Sequence, residues 1–340
     1  MDNQLNPSKI LQVGMGFFAS KTLLTAVNME LFTSLAVKEM TADEIKSKLG
    51  LHPRSVYDFL DALVALKLLE RRGLKETAVY SNTPETDLFL DKAKPSYVGG
   101  ILEMANKRLY PFWGDLEQAL KNGQPQNEAK SGGDLFEVLY SDQDRLKGFL
   151  NAMAGVQMGN FIKLAKTYDF SEHQSLCDLG GAGGFLAAQV AIHNQHMKCI
   201  SFDLPQVEPI AKQNIASLGV SDRVSVQSGD FFKDEFPKVD IITMGNILHD
   251  WGLEEKKLLI SKVYEALPKG GVFMVVENII DDQRRENAFG LLMSLNMLIE
   301  TTGGFDFSLA DFDEWAREAG FSEISSLPLT GPASAAIAIK

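Results

Sequence analysis

A chain of 340 residues, of which 45% are hydrophobic and 23% charged, has the composition of a globular protein long enough for two domains. Its two cysteines, Cys177 and Cys199, exclude a disulfide framework and lack metal-ligand spacing, so we expect structural thiols in a reducing cytoplasm. The net charge of −12 disfavours phosphate polymers as partners.

The charge is unevenly distributed along the chain. Residues 1–95 hold 12 basic and 12 acidic side chains, whereas the remainder holds 21 and 33. The apolar stretches fall short of the roughly 18 to 20 residues that cross a bilayer, and Asp2 stands where a signal peptide carries positive charge. The sequence therefore predicts a cytoplasmic protein without a nucleic-acid or membrane partner.

The first predicted element is an apolar helical stretch over residues 10–35. Its sequence, ILQVGMGFFASKTLLTAVNMELFTSL, carries too many hydrophobic side chains for a free surface. Because exposed apolar surface of this extent usually marks association, we expect a subunit interface here.

A winged-helix pattern follows. Thr41 and Glu44 form a capping box at the start of one predicted helix, and Gly50 ends it. Pro53 suits the first turn of a second helix, and Val79–Tyr80 predicts a strand of the wing.

Winged helices either read DNA or serve packing and dimerisation. Residues 53–65, the candidate recognition helix, contain one arginine and two aspartates. A helix that enters a phosphate-lined groove should be basic, so dimerisation is favoured over DNA binding.

Residues 96–170 are predicted to be helical throughout. Within them, large aromatic and thioether side chains could form an apolar wall ahead of a nucleotide-type domain, although each one by itself is more often a core residue. These side chains are Phe112, Trp113, Phe149, Met153 and Met158.

From Ser175 onwards, short apolar runs alternate with helical patterns. The predicted strands are SLCDL, KCISFD, VSVQS, VDIITM and VFMVVE. This alternation predicts an α/β protein with a parallel, doubly wound sheet. The last two runs, EISSLPL and AAIAIK, are joined by residues 330–333, a connection too short for parallel strands, so the sheet should finish with an antiparallel hairpin.

The first strand runs into a glycine-rich loop, DLGGAGGF, for which three interpretations compete. A phosphate-binding P-loop would need Gly-Lys-Ser/Thr, which is absent from this loop. A dinucleotide fingerprint would need glycine or alanine at position 186, which is Leu186. An S-adenosylmethionine loop fits at Asp178, Gly180 and Gly184, with Ala182 in its middle position.

Acidic residues at the ends of the next two strands strengthen the third interpretation. Asp203 ends the second strand, where a carboxylate can accept hydrogen bonds from ribose hydroxyls. Asp230 follows the third strand, where it could accept from an adenine amino group while Phe231 packs on the ring. Each aspartate could equally be a cap or turn residue, but a set at consecutive strand ends indicates a ligand site.

The fourth strand leads into GNILHDWG, which contains His249. A lone histidine is more often structural than catalytic. Here, however, Glu277 ends the next strand and Asp306 lies in a later turn, TTGGFDF. An imidazole flanked by two carboxylates is the arrangement that orients a general base.

Together these motifs resemble the dimeric small-molecule O-methyltransferases of the caffeic acid, N-acetylserotonin and hydroxyneurosporene type. The resemblance covers nearly the whole chain and rests on DLGGAGG, FDLP, GDFF, HDW, PKGG, VVE and TGG. It implies a seven-stranded class I methyltransferase sheet, Rossmann-like and with a C-terminal antiparallel hairpin, preceded by a mainly helical winged-helix dimerisation domain. The expected domains are 1–100 for dimerisation, 101–165 as a helical linker that contributes to the substrate pocket, and 166–340 for S-adenosylmethionine binding and catalysis.

The resemblance also implies roles for individual residues. His249 would be the general base, braced by Glu277, with Asp306 one methylene shorter than the glutamate usual at its position. No metal is expected. The implied S-adenosylmethionine contacts are Gly180, Gly181, Asp203, Leu204, Gly229, Asp230, Phe231 and Gly245.

The implied partners are a second copy of the chain and a small hydroxylated acceptor, aromatic or polyketide-like. Ligand pockets are mostly apolar with few polar anchors, and in this family the N-terminal helix of one subunit, here with Phe17 or Phe18, helps close the other's pocket. Two alternatives stay open: a relative that uses the cofactor for decarboxylation or hydroxylation, and a winged-helix regulator. The candidate acceptor-binding residues are Phe112, Trp113, Phe149, Met153, Asn246 and Met297.

Overall fold

The computed structural model describes residues 5–131 and 143–340. The chain divides into two compact units, Met1–Pro111 and Phe112–Lys340. Part of the segment predicted as helix between residues 96 and 170, namely 132–142, lies outside the described residues.

The first unit is mainly helical, with one small sheet. Its three strands are antiparallel, in the order β1-β3-β2. The elements of this unit are α1 (Ser8–Gly14), α2 (Gly16–Asn28), α3 (Leu31–Val37), β1 (Met40–Thr41), α4 (Ala42–Leu49), α5 (Val56–Ala65), β2 (Leu69–Arg72), β3 (Val79–Asn82), α6 (Pro84–Leu90) and α7 (Gly99–Met104).

Local signals in the sequence fix the ends of α4. The Thr41 side chain accepts from the backbone N–H of Glu44, whose carboxylate accepts in return from the N–H of Thr41. Gly50 ends the helix with a φ of 66°, in the left-handed region that glycine tolerates best. Helix α5 begins at Val56, three residues after Pro53, so the prediction that Pro53 occupies its first turn was wrong; the chain turns there first.

Helix α1 buries no side chain, whereas α2 buries Leu24, Ala26 and Val27 towards its end. Together they form the stretch Ser8–Asn28, 21 residues, which is long and apolar enough to cross a membrane by length and composition alone, with 17% of its most apolar window buried. The expectation that every apolar stretch falls short of this length was therefore wrong here. The large side chains that α1 and α2 expose include Ile10, Leu11, Val13, Phe17 and Phe18.

The second unit is a seven-stranded sheet with helices on both faces. Short helical turns, including Trp113–Asp115, precede it, and the elements are α8 (Leu116–Asn122), α9 (Gln143–Thr167), β4 (Ser175–Leu179), α10 (Phe185–His193), β5 (Lys198–Asp203), α11 (Glu208–Ser217), β6 (Val224–Ser228), β7 (Ile241–Gly245), α12 (Leu253–Ala266), β8 (Val272–Glu277), α13 (Ala288–Glu300), α14 (Leu309–Ala319), β9 (Glu323–Pro328) and β10 (Ser334–Ile339).

The order of the strands is β6-β5-β4-β7-β8-β10-β9. The five strands from β6 to β8 are parallel, whereas β10 pairs antiparallel with both β8 and β9. This confirms the predicted class I methyltransferase sheet with its antiparallel hairpin. Because the strand order reverses between β4 and β7, a crevice opens at their carboxyl ends, where ligands bind in such sheets.

Two apolar clusters hold the helices on the sheet. Side chains of α10 and α11 pack on one face with alternate strand residues such as Leu176 and Ile241, and those of α12 and α14 pack on the other with Cys177 and Ile242. Neither cysteine forms a disulfide, and both are buried, as predicted for structural thiols.

The segment from 96 to 170 is less helical than predicted. Helix α8 ends at Asn122, and residues 123–126 are not helical, because Gly123 adopts a left-handed φ of 65° and Pro125 follows. The backbone N–H of Gln126 and the side chain of Asn127 then donate to carbonyls at the end of α13, each at 2.8 Å.

Candidate active site

The glycine-rich loop turns sharply away from the end of β4. Gly180 has a φ of 69°, and the N–H groups of Gly180 and Gly181 donate to the carbonyl of Phe202 on β5 at 2.9 and 3.1 Å. A Cβ atom at Gly180 would lie 2.3 Å from the Cδ1 atom of Ile247. The left-handed φ therefore favours glycine at this position, and any side chain would also displace Ile247 on the turn that follows β7.

Asp203 at the end of β5 ties this loop down. Its Oδ2 atom accepts from the N–H of Ala182 at 2.8 Å, and its Oδ1 atom accepts from its neighbour Leu204 at 2.7 Å. Ala182 has a φ of 48°, a conformation that favours glycine, and the bond to Asp203 holds it there. Desolvation outweighs these two bonds and raises the pKa of Asp203 to about 6.

The carboxylate of Asp230, after β6, has both of its partners within its own loop. It pairs with Lys233 at 2.6 Å and accepts from the N–H of Phe232 at 2.9 Å, and Lys233 in particular lowers the pKa of Asp230. Phe231 packs edge-on against Trp251, with ring centroids 5.9 Å apart. An adenine amino group would have to share the carboxylate of Asp230 with Lys233.

Two other predicted glycines differ in how strictly they are needed. At Gly229 a Cβ atom would lie 2.3 Å from the ring of Phe202, so glycine is required for packing. At Gly245 the nearest atom would be a ring carbon of Phe161 at 3.6 Å, an ordinary contact. Packing therefore gives no reason for glycine at 245.

Asn246 turns the chain between β7 and the histidine. Its φ of 53° lies in the left-handed region, its N–H donates to the carbonyl of Val276 at 3.0 Å, and its Oδ1 atom accepts from Gln157 of α9 at 2.8 Å. Strain of this kind concentrates at functional sites. The Oε1 atom of Gln157 accepts from the side chain of Asn160 at 2.8 Å. The Oδ1 atom of Asn160 accepts in turn from the N–H of Thr330 in the terminal hairpin at 3.0 Å.

His249 lies in the short 3-10 turn Leu248–Asp250 and is buried among carboxylates. Its Nδ1 atom is 3.4 Å from Oε2 of Glu277 and 3.4 Å from Oδ1 of Asp306, and its Nε2 atom is 3.5 Å from Oδ1 of Asp250. The backbone N–H of His249 also donates to Oε1 of Glu277 at 3.3 Å. When the imidazole is neutral, a proton on Nδ1 would face both carboxylates, which leaves the basic lone pair on Nε2.

Burial and the neighbouring carboxylates shift the pKa of His249 in opposite directions. Burial by itself lowers the pKa of His249, but the carboxylates of Glu277, Asp250 and Asp306 outweigh burial and raise the pKa to about 10. Burial raises the pKa of Glu277, although the charge of His249 works in the other direction. The imidazole and carboxylates therefore hold a proton more tightly than either would in water.

Three side chains of this cluster, His249, Glu277 and Asp306, have atoms that could ligate a cation. One ligand atom each from His249, Glu277 and Asp306 lie within 4.8 Å of one another. The ammonium of Lys256, however, is buried in the field of both carboxylates and opposes a second cation there. The donor set therefore suits proton handling better than metal binding.

The candidate acceptor-binding residues fall into separate places. Helix α13 packs against the turn that carries His249, and its Asn296 accepts from the indole N–H of Trp113 at 2.9 Å, beside the buried Met297. Phe149 instead packs with Ala182 on the cluster that includes Val207, next to the glycine loop. Phe112 and Met153 are both partly exposed.

Residues 113–322 match the model of the O-methyltransferase domain, and residues 11–92 match that of the O-methyltransferase dimerisation domain. The tetracenomycin polyketide synthesis 8-O-methyl transferase TcmO of Streptomyces glaucescens is 41% identical over 334 residues, which cover 98% of this chain and 97% of that protein.

Solved structures agree. Human N-acetylserotonin methyltransferase in complex with SAM superposes with a TM-score of 0.91 at 27% identity, covering 100% of this chain and 99% of that one. NcsB1, an O-methyltransferase from neocarzinostatin biosynthesis in complex with SAM and 2-hydroxy-5-methyl naphthoic acid, gives 0.75 at 26% identity, covering 94% and 95%. The chain belongs to the S-adenosylmethionine-dependent O-methyltransferases, and it carries the dimerisation domain of that family ahead of the methyltransferase domain.

Proposed function

We propose that the protein methylates a phenolic hydroxyl of a flat, polycyclic aromatic metabolite of the polyketide kind, with His249 as general base. The observation that carries this proposal is the buried imidazole whose Nδ1 atom faces two carboxylates at 3.4 Å. It lies at the carboxyl edge of the sheet, where the glycine loop also lies.

The residues around the loop fit S-adenosylmethionine. The carboxylate of Asp203 suits the ribose hydroxyls, Gly180 removes the side chain that would crowd the loop, and Phe231 with Trp251 offers aromatic surface for the adenine. The acidic surroundings of His249 suit the positive charge of a sulfonium. When bound, S-adenosylmethionine supplies an electrophilic methyl group.

The protein's own contribution is then to orient the acceptor and to move one proton. Nε2 of His249 accepts the hydroxyl proton as the oxygen attacks, while Glu277 and Asp306 hold Nδ1 and stabilise the imidazolium that forms. A phenol has a pKa of roughly 10, so a histidine of raised pKa is well matched to it. Helices α13 and α9 cover this edge and help to exclude water, which aligned methyl transfer needs.

The acceptor class is proposed from two further observations. Trp113 and Met297 present flat and apolar surface on and beside the helix that packs against the histidine turn. TcmO, at 41% identity, acts in polyketide synthesis, and NcsB1 was solved with a naphthoic acid. Both names point to fused aromatic rings that bear a hydroxyl group.

We further propose that the protein is a cytoplasmic homodimer. The exposed apolar side chains of α1 and α2 lie in and around the matched dimerisation domain, so a second copy is a better partner for them than a bilayer.

The test is incubation with methyl-labelled S-adenosylmethionine and a panel of acceptors. The panel contains hydroxylated naphthoic acids, anthraquinones and tetracenes, simple phenols, and the matching methyl ethers and amines. We expect label on the polycyclic phenols and none on the methyl ethers. Label on the amines alone, or cofactor binding without transfer to any acceptor, would contradict the proposal.

A further inference from the structure

Three side-chain amides form one chain of hydrogen bonds from the terminal hairpin to the turn that precedes His249. Two of them, Gln157 and Asn160 of α9, are buried, at 8% and 4% exposure. Asn160 is bonded to Thr330, between β9 and β10, and Gln157 is bonded to Asn246, at the carboxyl end of β7. Buried polar groups are normally hydrogen-bonded, so the partners of each amide restrict how it is oriented.

The hairpin end of this chain has a fixed polarity. The backbone N–H of Thr330 can only donate, and it lies 3.0 Å from the Oδ1 atom of Asn160. The hydroxyl of Thr330 donates to the same oxygen. Lys163 of α9 donates to the carbonyl of Leu329 at 2.7 Å and keeps the hairpin in place. Asn160 must therefore present its oxygen to the hairpin, because the opposite orientation would set its NH2 group against an N–H.

This polarity passes along the chain to Asn246. With its oxygen facing the hairpin, Asn160 directs its NH2 group to the Oε1 atom of Gln157, at 2.8 Å. Gln157 is then left with its NH2 group, which donates to the Oδ1 atom of Asn246 at 2.8 Å. Each amide satisfies its neighbours in one orientation alone. The backbone of the hairpin thus determines which end of the Asn246 amide faces α9.

The other end of the Asn246 amide is therefore a hydrogen-bond donor. Its Nδ2 atom has no partner among the residues whose side chains the structure describes, and the side chain is partly exposed. The turn that carries Asn246 lies between α9 and the glycine loop, since a Cβ atom at Gly180 would meet Ile247 of this turn. A molecule that reaches from the glycine loop to His249 lies beside this turn.

We propose that Asn246 is a specificity-determining residue that donates a hydrogen bond to the acceptor, with Gln157 and Asn160 as the positioning residues that fix its polarity. This inference rests on the proposed function and narrows it: the acceptor carries a hydrogen-bond-accepting oxygen, such as a ketone, next to the hydroxyl that is methylated. A group that only donates would meet the NH2 group of Asn246 there. Sites built around one hydrogen bond discriminate against such a mismatch.

The primary experiment measures binding and needs no methyl transfer. Calorimetry at about pH 7.5 with S-adenosylhomocysteine compares three naphthols: 3-acetyl-2-naphthol, whose ketone only accepts, 3-amino-2-naphthol, whose amine chiefly donates, and unsubstituted 2-naphthol. We expect the wild type to bind the ketone about tenfold more tightly than the amine, with 2-naphthol between them. Equal binding of the ketone and the amine, or no binding of any of the three, would overturn the proposal.

Isosteric acids test the two residues nearest to the ligand. A carboxylate only accepts, so N246D keeps its contact with Gln157 and loses the free donor. In Q157E the new carboxylate takes the NH2 group of Asn246, which turns the oxygen of Asn246 outwards. Both variants should bind the amine more tightly than the ketone, so the ratio of the two affinities inverts. A wild-type ratio in both variants would contradict the role of Asn246.

N160D is the most discriminating variant, because Asn160 is two side chains away from the proposed ligand contact. Its carboxylate still accepts from Thr330 but now needs a donor from Gln157, so the two remaining amides should turn over and the ratio should invert here as well. N194D is the matched control, since Asn194 donates to the carbonyl of Ala165 on α9 at 2.9 Å and lies outside the chain of amides. N194D should keep the wild-type ratio. A wild-type ratio in N160D would overturn the positioning roles of the α9 amides.

The ratio of affinities within one variant cancels general effects of an added charge or of lower stability, because the naphthols are uncharged at this pH. If a variant does not fold, the wild-type comparison still decides the role of Asn246. Transfer of label from S-adenosylmethionine separates this inference from the proposed function. The expected ratio without transfer would refute the proposed function and leave the binding role of Asn246 standing. Transfer to the ketone and the amine with equal kcat/KM would do the reverse.

Discussion

The Nδ1 atom of His249 lies 3.4 Å from Oε2 of Glu277, while the other oxygen of that carboxylate accepts the backbone N–H of the same histidine. Both side chains are buried, at 5% and 2% exposure. This carboxylate therefore fixes the backbone of the turn, and its negative charge lies beside the ring nitrogen that forms a hydrogen bond with Asp306. It also raises the affinity of the imidazole for a proton, which has consequences for activity.

The first prediction concerns pH. Because the pKa of His249 is raised to about 10, the neutral, basic form is a minority at pH 7 and grows as the pH rises. We expect kcat/KM to increase with pH through the neutral range, with the midpoint of the acid limb above 7. In E277Q the lost negative charge should move this limb to lower pH. A limb at or below the ordinary histidine value of about 6.5 would contradict the assignment.

The second prediction concerns the base itself. H249Q removes the proton acceptor and keeps a polar side chain of similar size. We expect kcat to fall by about 10² to 10⁴ fold, the usual contribution of general base catalysis. Binding of S-adenosylhomocysteine, measured by calorimetry, should stay within about threefold of wild type. Unchanged kcat would show that the histidine is structural.

The third prediction concerns Asp306, whose Oδ1 atom lies 3.4 Å from Nδ1 of His249. D306N removes one of the carboxylates that favour imidazolium, so the acid limb should move to lower pH. The weaker hold on the ring should also reduce kcat by about tenfold or more, as loss of an orienting partner does. D306E, which keeps the charge, serves as the control. An identical profile in D306N would leave Glu277 as the sole brace.

The fourth prediction concerns cofactor binding. Asp203 has its pKa raised to about 6, so its carboxylate takes up a proton as the pH falls through that value and loses acceptor capacity. The affinity for S-adenosylhomocysteine should therefore fall below pH 6. D203N should bind about 10 to 100 fold more weakly, since hydrogen bonds to charged groups contribute about 1.5 to 3 kcal/mol. Its affinity should also be flat across pH 5 to 7; a flat wild-type profile would contradict this.

The fifth prediction concerns the dimer. Phe18 on α2 is 61% exposed in the chain by itself. Replacing it with lysine places a charge in the proposed subunit interface, so light scattering should report a shift from dimer to monomer. Leu74, 65% exposed near the wing of the same unit, gives the control L74K, which should remain dimeric. If light scattering shows that the wild-type protein is a monomer, the proposed interface is wrong.

Much of the fold could be predicted from local patterns. Strands β4, β5, β6 and β8 were predicted to the residue, because each is a short apolar run bounded by polar or glycine-rich segments. The glycine loop and the acidic residues were likewise predicted at the carboxyl ends of the strands, which is where the structure has them. The non-helical residues 123–126 were missed because the apolar helical pattern on either side of them outweighed a single glycine and proline.

Side-chain pairings within the site were harder to predict. The hydrogen bond from the N–H of Ala182 to Asp203 joins residues 21 apart in the sequence. It depends on a left-handed backbone conformation at Ala182, which an alanine in the sequence does not indicate. Lys256 left one signal: a lysine at a position where the helical period demands an apolar residue. Its contacts with Trp251 and Phe305 depend on how α12 packs on the loops, which periodicity does not encode.

The place of β10 in the sheet has a consequence for how the protein folds. Strand β10 is inserted between β8 and β9, and β8 is buried along its whole length. Strand β10 lies about 60 residues further along the chain, and until it docks one backbone edge of β8 has no hydrogen-bond partner. The side chains of β8 are mostly Val, Phe and Met. Long-range pairing forms slowly, and open apolar edges recruit other chains. We therefore expect refolding yield to depend on the speed with which the hairpin docks, more than on the final stability of the sheet.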